Sequence, residues 1–444
     1  MKDSVEGRFG QFNIEQRKAV EGILDRWNCV EGEFTFPIVD GPPGTGKTTV
    51  GTIAAAKYIL ENRRAQIAYL SYTHKAVDKA KKDFQSFGFP KDRVVELHHN
   101  TKLTNWNEGI YGCDSEVNSA SFEDKRRLKE CEVLLCTLQS SKRVFKLRTM
   151  PRIIIDEFSQ VSTPLFFSTI RKMFSGKCGP EGYALLGDPI QLPVISTQPL
   201  LKPNIGVFIM QRKPHEPHRL LIQHRMHEDI CEAINSLRVV YHAPRIKSGE
   251  NTKNRDLSAL GYSWDQRSTS AKLSDILDPS HPLVIINTDT CGDQERTFGG
   301  SLRNTGEAKL AVKLSAEIYK TFRSRDGEPL KPWILSPYVA QIGEIKQQLP
   351  SDLRDNCITI YSSQGREHPC VILSFVCNNP RGEIGFLGEA EYALREQTYV
   401  ACSRAQAKLI VLMSFNTFLG HNHPDFEVLT KTKSAYLVDN GVDL

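Results

Sequence analysis

An α/β fold built as two parallel-sheet domains is predicted by three features of this sequence. Short β-branched or Leu-rich runs alternate with longer amphipathic stretches along nearly all of the 444 residues. The runs are apolar throughout rather than alternating, as strands buried on both faces of a parallel sheet must be. They number about five in each half, which suits two domains better than one oversized sheet.

In chain order the runs begin with Phe36-Pro37-Ile38-Val39, Ile67-Ala68-Tyr69-Leu70, Val133-Leu134-Leu135-Cys136, Ile153-Ile154-Ile155 and Tyr183-Ala184-Leu185-Leu186. Leu283-Val284-Ile285-Ile286, Trp333-Ile334-Leu335, Val371-Ile372-Leu373 and Leu409-Ile410-Val411-Leu412 follow. Between the two sets, Lys213-Pro214-His215-Glu216-Pro217 is polar and carries two prolines, so the joint is expected there, with domains of residues 1–214 and 215–444. Residues 92–131 show many charges and no strand-like run, which predicts a helical or loop excursion from the first sheet. Residues 248–274, rich in Ser, Asn, Lys and Arg, read as a surface insertion in the second domain. No internal repeat or low-complexity tract interrupts this plan.

Composition agrees with packed cores. The chain is 40% hydrophobic and 25% charged, with 21 Phe, 13 Tyr and 4 Trp, which excludes collagen-like, coiled-coil and wholly disordered chains. No apolar run approaches the ~20 residues of a membrane span. The N-terminus has no apolar segment of the secretory kind, so an intracellular, cytoplasmic location is expected. Eleven cysteines, odd in number and without a C-x-x-C pair, favour a reduced protein over a disulfide framework. A net charge of +5 permits a polyanionic partner without requiring one.

Gly41-Pro42-Pro43-Gly44-Thr45-Gly46-Lys47-Thr48 satisfies G-x-x-x-x-G-K-[ST], and it sits after an apolar run and before a helix-forming stretch. Glycines let backbone N–H groups turn inward around phosphate oxygens, aided by the helix N-terminus. Lys47 would neutralise the β- and γ-phosphates of ATP, Thr48 would ligate Mg²⁺, and Thr49 completes the binding set. Ile153-Ile154-Ile155-Asp156-Glu157 delivers two carboxylates at a strand's C-terminal end. Asp156 would hold the Mg²⁺ shell, and Glu157 would serve as general base for the attacking water.

The remaining motifs resemble those of superfamily 1 helicases. Asp156-Glu157-Phe158-Ser159-Gln160 is similar to motif II, and Leu186-Gly187-Asp188-Pro189-Ile190-Gln191-Leu192-Pro193 to motif III. Gln223-His224-Arg225-Met226-His227 resembles the QYRMH motif IV of the up-frameshift-like branch, superfamily 1B. Ser363-Gln364-Gly365-Arg366-Glu367 looks like motif V, Val400-Ala401-Cys402-Ser403-Arg404-Ala405 like motif VI, and Asn13 to Gln16 like the segment preceding the P-loop. The resemblance implies two RecA-like domains with ATP in a cleft between them. It implies finger roles for Arg225 and Arg404, whose planar guanidinium groups suit a transferring phosphoryl group. It also implies that Gln191 orients water or senses the γ-phosphate, that Gln16 bonds adenine, and that Gly365 and Glu367 lie at the nucleotide, with Glu367 on the ribose. His224 replaces the tyrosine that stacks on adenine.

The same likeness points to nucleic-acid contacts at Thr73 and His74 (motif Ia), Thr137 (motif Ic), Pro193, Ser336 and Tyr338 (the TPY element) and Thr359 (opening motif V). Hydroxyls and backbone N–H groups at strand ends suit contacts that do not depend on base sequence. Departures occur at Ile360-Tyr361-Ser362-Ser363-Gln364-Gly365, where the family's Asp and Phe are missing. Neither the family β-barrel before the P-loop nor the Cys/His-rich regulatory domain is expected here, since few residues precede Asn13 and no Zn-like Cys spacing occurs. The expectation is a monomeric ATP-dependent helicase or translocase moving 5′ to 3′ on single-stranded DNA or RNA and acting at single-strand/duplex junctions. An ATP-gated clamp that remodels without unwinding is the alternative. Backbone recognition by hydroxyls serves DNA and RNA alike.

Overall fold

A computed structural model describes residues 1–28, 36–98, 103–112, 121–141, 152–173, 182–192, 198, 204–212, 216–291, 296–298, 300–384, 394–421 and 423–439. They form two compact units, residues 1–189 with 193–221 and residues 190–192 with 222–444. Three residues of the expected joint, Lys213 to His215, lie outside the described set.

The described residues of the first unit form eight strands: β1 (Ile38–Asp40), β2 (Ile67–Ser71), β3 (Val94–His98), β4 (Ile110–Gly112), β5 (Val133–Thr137), β6 (Arg152–Asp156), β7 (Gly182–Gly187) and β8 (His218–Arg219). They lie in the order β4-β3-β5-β2-β6-β7-β1-β8, and each adjacent pair is parallel. The five apolar runs became β1, β2, β5, β6 and β7, all fully buried because helices cover both faces.

Three strands escaped the sequence pattern. Residues 92–131 are not only helix and loop: β3 and β4 extend one edge of the sheet. Glu96 and His98 break the apolar run of β3, and β4 has only three residues, so neither carried the signal of a buried strand. At the other edge, β8 lies beyond the expected joint at residue 214 and still belongs to the first sheet. It is a two-residue polar strand, invisible to a search for apolar runs.

Helices α1 (Lys2–Gly10), α2 (Ile14–Asn28), α3 (Lys47–Glu61) and α4 (His74–Ser86) belong to this unit. Ala19, Val20, Ile23 and Trp27 of α2 pack with Ile53, Ala54 and Ala55 of α3 over Val39, Tyr69, Leu135 and Ile154 of the sheet. The opposite face is closed by Phe158, Phe166 and Ile205 against Ile38, Leu70 and Leu185.

Among the described residues, the second unit's main sheet has six strands: β9 (Leu283–Asn287), β10 (Trp333–Ser336), β11 (Cys357–Thr359), β12 (His368–Ser374), β13 (Ala405–Met413) and β14 (Tyr436–Val438). Their order is β11-β10-β12-β13-β9-β14, again wholly parallel. Two of its helices matter below, α5 (Glu228–Val240) and α6 (Thr305–Thr321). Residues 248–274 are built from short pieces rather than a free loop: Tyr262–Trp264 pair antiparallel with Phe322–Ser324, and Leu257 and Leu273 are buried.

One buried carboxyl sets the backbone course after β12. Val376 adopts φ +77, a left-handed conformation that a β-branched residue rarely accepts. Its N–H donates to both Glu307 oxygens, at 3.2 and 3.1 Å, and its carbonyl accepts from Asn304 Nδ2 at 3.2 Å. Burial pushes the Glu307 carboxyl from 4.5 up to about 8. Because its folded value lies above the unfolded one, the folded protein binds more protons in between, and stability falls as pH rises from about 4.5 to about 8. Glu307→Gln has no proton to lose, so its urea midpoint should decline less than that of wild type across this window.

Candidate active site

The P-loop starts where β1 ends. Gly41 N–H donates to Gly187 O at 2.9 Å, tying the loop to the end of β7. Gly44 and Gly46 take φ values of +80 and +86, which glycine tolerates best, and Thr45 Oγ1 donates to Pro42 O at 2.8 Å to close the turn. Lys47 opens α3, and its Nζ reaches Pro42 O at 3.5 Å. The ammonium thus lies over the loop that would hold phosphate.

Thr48, the second residue of α3, donates from Oγ1 to Asp156 Oδ2 at 2.8 Å. Tyr69 of β2 donates to the same oxygen at 2.7 Å, and Glu157 N–H donates to Oδ1 at 2.8 Å. Burial, then the neighbouring Glu157 charge, raises the Asp156 carboxyl above the usual range, while the Tyr69 donor opposes that rise. Glu157 itself adopts φ +56. This strained turn follows β6 directly and separates the direction of the Glu157 side chain from that of Asp156. Glu157 Oε2 is buried and has no hydrogen-bond partner among the described residues. Phe158 anchors the turn: a Cβ on Gly187 would meet its ring at 2.6 Å, and one on Gly206 at 2.2 Å.

Gln16 is held against the loop. Asn13 and Gln16 cap one another, Gln16 N–H donating to Asn13 Oδ1 at 2.9 Å and Asn13 N–H to Gln16 Oε1 at 3.1 Å. Gln16 Nε2 then donates to Thr45 O at 3.0 Å. One amide hydrogen and one lone pair remain for a base edge.

In the second unit the motif IV, V and VI residues form a network of their own. Arg225 pairs through Nε with Glu367, and its Nη1 donates to Ser403 O at 3.3 Å. Glu367 also accepts from Gln406 Nε2 at 3.0 Å. Arg404 is 1% exposed; its Nε donates to Val400 O, its Nη1 to Arg366 O and its Nη2 to Ser403 Oγ, each at 2.9 Å. Gly365, at φ +72, turns the motif V loop. His224 packs on Gly249, with Nδ1 3.2 Å from Asn251 Oδ1. Gln191 is buried.

Two family models, each described as an AAA domain, match residues 30–197 and 207–416. DNA replication ATP-dependent helicase/nuclease DNA2 of Mus musculus is 28% identical over 435 residues, covering 94% of this chain and 38% of that protein. ATP-dependent helicase upf1 of Schizosaccharomyces pombe is 24% identical over 480 residues, covering 97% of this chain and 47% of that protein. In these relatives and in its motifs the chain is similar to the superfamily 1B helicases. It spans less than half the length of these two relatives. A solved structure, arterivirus nonstructural protein 10 (helicase) with DNA, resembles it at 15% identity and a TM-score of 0.45, over 91% of this chain and 64% of that one.

The residues expected to meet nucleic acid divide by burial. Thr73 is half-buried and caps α4, accepting from Ala76 N–H at 3.4 Å. Thr359 lies at the end of β11, its Oγ1 2.9 Å from Ser362 Oγ in the motif V turn. Thr137 is buried and accepts from Ser140 N–H at 3.2 Å. Ser336 and Tyr338 correct the expectation of direct side-chain contact. Ser336 is fully buried and accepts from Tyr338 N–H at 3.3 Å. Tyr338 is 1% exposed and donates its hydroxyl to Ile384 O at 3.0 Å, so its ring belongs to the core. Pro193 lies outside the described residues. Tyr69 was missed because it stands within an apolar run; only its hydroxyl, facing Asp156, reveals its role.

The two arginines should respond differently to truncation. Arg404→Ala empties the space of a buried side chain and removes three hydrogen bonds that tie motifs V and VI, so it should cost about 2–4 kcal/mol of stability together with ATPase kcat. Arg225→Ala removes a pair whose Glu367 side chain is 43% exposed, so stability should fall by less than about 1 kcal/mol while kcat drops. Urea midpoints measured beside kcat check this contrast.

Proposed function

We propose that this chain is an ATP hydrolase that moves 5′ to 3′ along single-stranded DNA and separates strands at single-strand/duplex junctions, working as a monomer. The observation that carries the reading is the 2.8 Å contact from the P-loop Thr48 hydroxyl to Asp156, with Glu157 as the next residue. Relatives named for DNA replication and for helicase activity support nucleic acid as the track and DNA as its favoured form.

The chain's own groups account for hydrolysis. Backbone N–H groups of the loop and Lys47 bind the β- and γ-phosphates of ATP. Thr48 and Asp156 bring hard oxygen atoms to one buried point, a donor set that suits Mg²⁺ and would hold it there. When bound, Mg²⁺ neutralises phosphate charge. Glu157 takes the proton of the attacking water through the unpartnered Oε2, and Gln191 orients that water. Arg225 stabilises charge on the transferring phosphoryl group, a contribution worth about 10³-fold or more in comparable sites. Arg404, whose three nitrogens already bind its own unit, fixes the motif V and VI backbone on which Arg225 and Glu367 depend. Gln16 and His224 meet the adenine, Gly365 and Glu367 the ribose side, and Thr73, His74, Thr137 and Thr359 the strand.

Three outcomes test the reading. Lys47→Ala should abolish ATP turnover, whereas Glu157→Gln should retain ATP binding and lose hydrolysis; wild-type turnover in Glu157→Gln would remove the general-base assignment. ATPase activity titrated with matched single strands should rise more with DNA than with RNA, and a forked duplex should be displaced with ATP. Stimulated turnover without displacement would instead indicate a clamp. Strand affinity should fall with salt by roughly 0.7 log units per log unit of salt for each phosphate neutralised, with little dependence on base sequence.

A further inference from the structure

Near the edge of the first sheet, away from Thr48 and Asp156 in sequence and in strand order, three ligand-type side chains converge, with Asp78 as a charged neighbour. Glu96 and His98 are two apart on β3, so the strand period turns both to one face. His74 begins α4, and Asp78 follows one turn later. His98 Nε2 lies 2.6 Å from Glu96 Oε1, and the His74 and His98 rings stack with centroids 4.8 Å apart and planes 11° from parallel. One ligand atom from each of His74, Glu96 and His98 falls within 4.8 Å of the others.

We propose that His74, Glu96 and His98 bind a divalent transition-metal ion of the Zn²⁺ class, with Asp78 available as a fourth ligand. Two imidazoles and a carboxylate are a borderline donor set that favours Zn²⁺ over Mg²⁺, which demands oxygen ligands. Ligand atoms around tetrahedral Zn²⁺ at 2.0–2.1 Å stand about 3.4 Å apart, so the present spacing needs a small contraction. Parallel rings cannot both aim a lone pair at one ion; a χ2 rotation of one imidazole, a soft torsion, resolves this.

Charge also fits. Glu96 is 2% exposed, and Lys81 Nζ sits 2.9 Å from its Oε2, leaving Oε1 toward the imidazoles. Asp78, one turn into α4, brings a second carboxylate into the electrostatic neighbourhood of Glu96 and both imidazoles. A dication would relieve the repulsion between the two carboxylates, and Lys81 limits the excess negative charge it meets. This site would join the start of α4 to the sheet edge; it is independent of the ATPase chemistry at Thr48 and Asp156, and a metal-bound His74 would be withdrawn from the strand contact proposed above.

The test uses the whole chain, stripped with EDTA and kept in excess Mg²⁺ so that the oxygen site beside the P-loop does not take the probe. Zn²⁺ is added under calorimetry, and Co²⁺ is followed by its visible absorption. The proposal expects about one equivalent of Zn²⁺, a Co²⁺ band typical of nitrogen–oxygen ligation that Zn²⁺ abolishes, and at least a tenfold affinity loss in His98→Gln. Thermal melting of that variant in EDTA shows whether it is folded. Unchanged Zn²⁺ affinity in folded His98→Gln overturns the site. So does a wild-type protein that takes up no Co²⁺, whatever the variant does.

Discussion

The hydrogen bond from Thr48 to Asp156 is the constraint on which the first unit's chemistry depends. It joins the start of α3 to the end of β6, two elements that meet only because the parallel sheet puts their ends at one rim. Tyr69 and the Glu157 N–H complete the shell of Asp156, so a fully buried carboxylate keeps its orientation without solvent. Removing water from such a group is unfavourable unless donors replace it, and three do. The left-handed turn at Glu157 follows from the same requirement: the chain leaves β6 with one carboxyl bound inward and the next directed elsewhere.

The second unit solves a related problem with cations. Arg404 is buried with a donor on each nitrogen satisfied by its own unit, whereas Arg225 rests on a partly exposed carboxylate. A guanidinium bonded through three nitrogens serves as a structural strut, and one whose ion-pair partner is partly exposed can change that partner. The motif IV and VI arginines and Glu367 are therefore linked through Ser403 and the Arg225 pair, and substitution of one member alters the others.

Much of this was legible from the amino-acid order. The P-loop and the Asp156-Glu157 pair were readable because their chemistry demands fixed residue types at fixed spacing beside apolar strands. Five strands of the first sheet announced themselves by continuous apolar runs. Strands β3, β4 and β8 did not: β4 and β8 are edge strands of three and two residues, and β3, next to the edge, has its apolar run broken by the buried Glu96 and by His98. Ser336 and Tyr338 show a different limit. A motif match names a position, but whether its side chain faces a ligand or the core depends on packing from distant segments, here Ile384. Tyr69 illustrates the converse, a residue that looks like core and carries a hydroxyl into the site.

The position of β8 bears on how the first unit is made. Its backbone pairs with Val39 and Asp40, and Leu220 N–H donates to Asp40 O at 2.9 Å. During synthesis the strand that leads into the P-loop therefore stays an open edge until residue 220 has emerged, some 180 residues later. A polypeptide ending at residue 214 would expose that edge permanently, at the strand whose end shapes the phosphate loop. Such an edge invites pairing with another chain, so aggregation on the ribosome or in a truncated product would begin beside the nucleotide site.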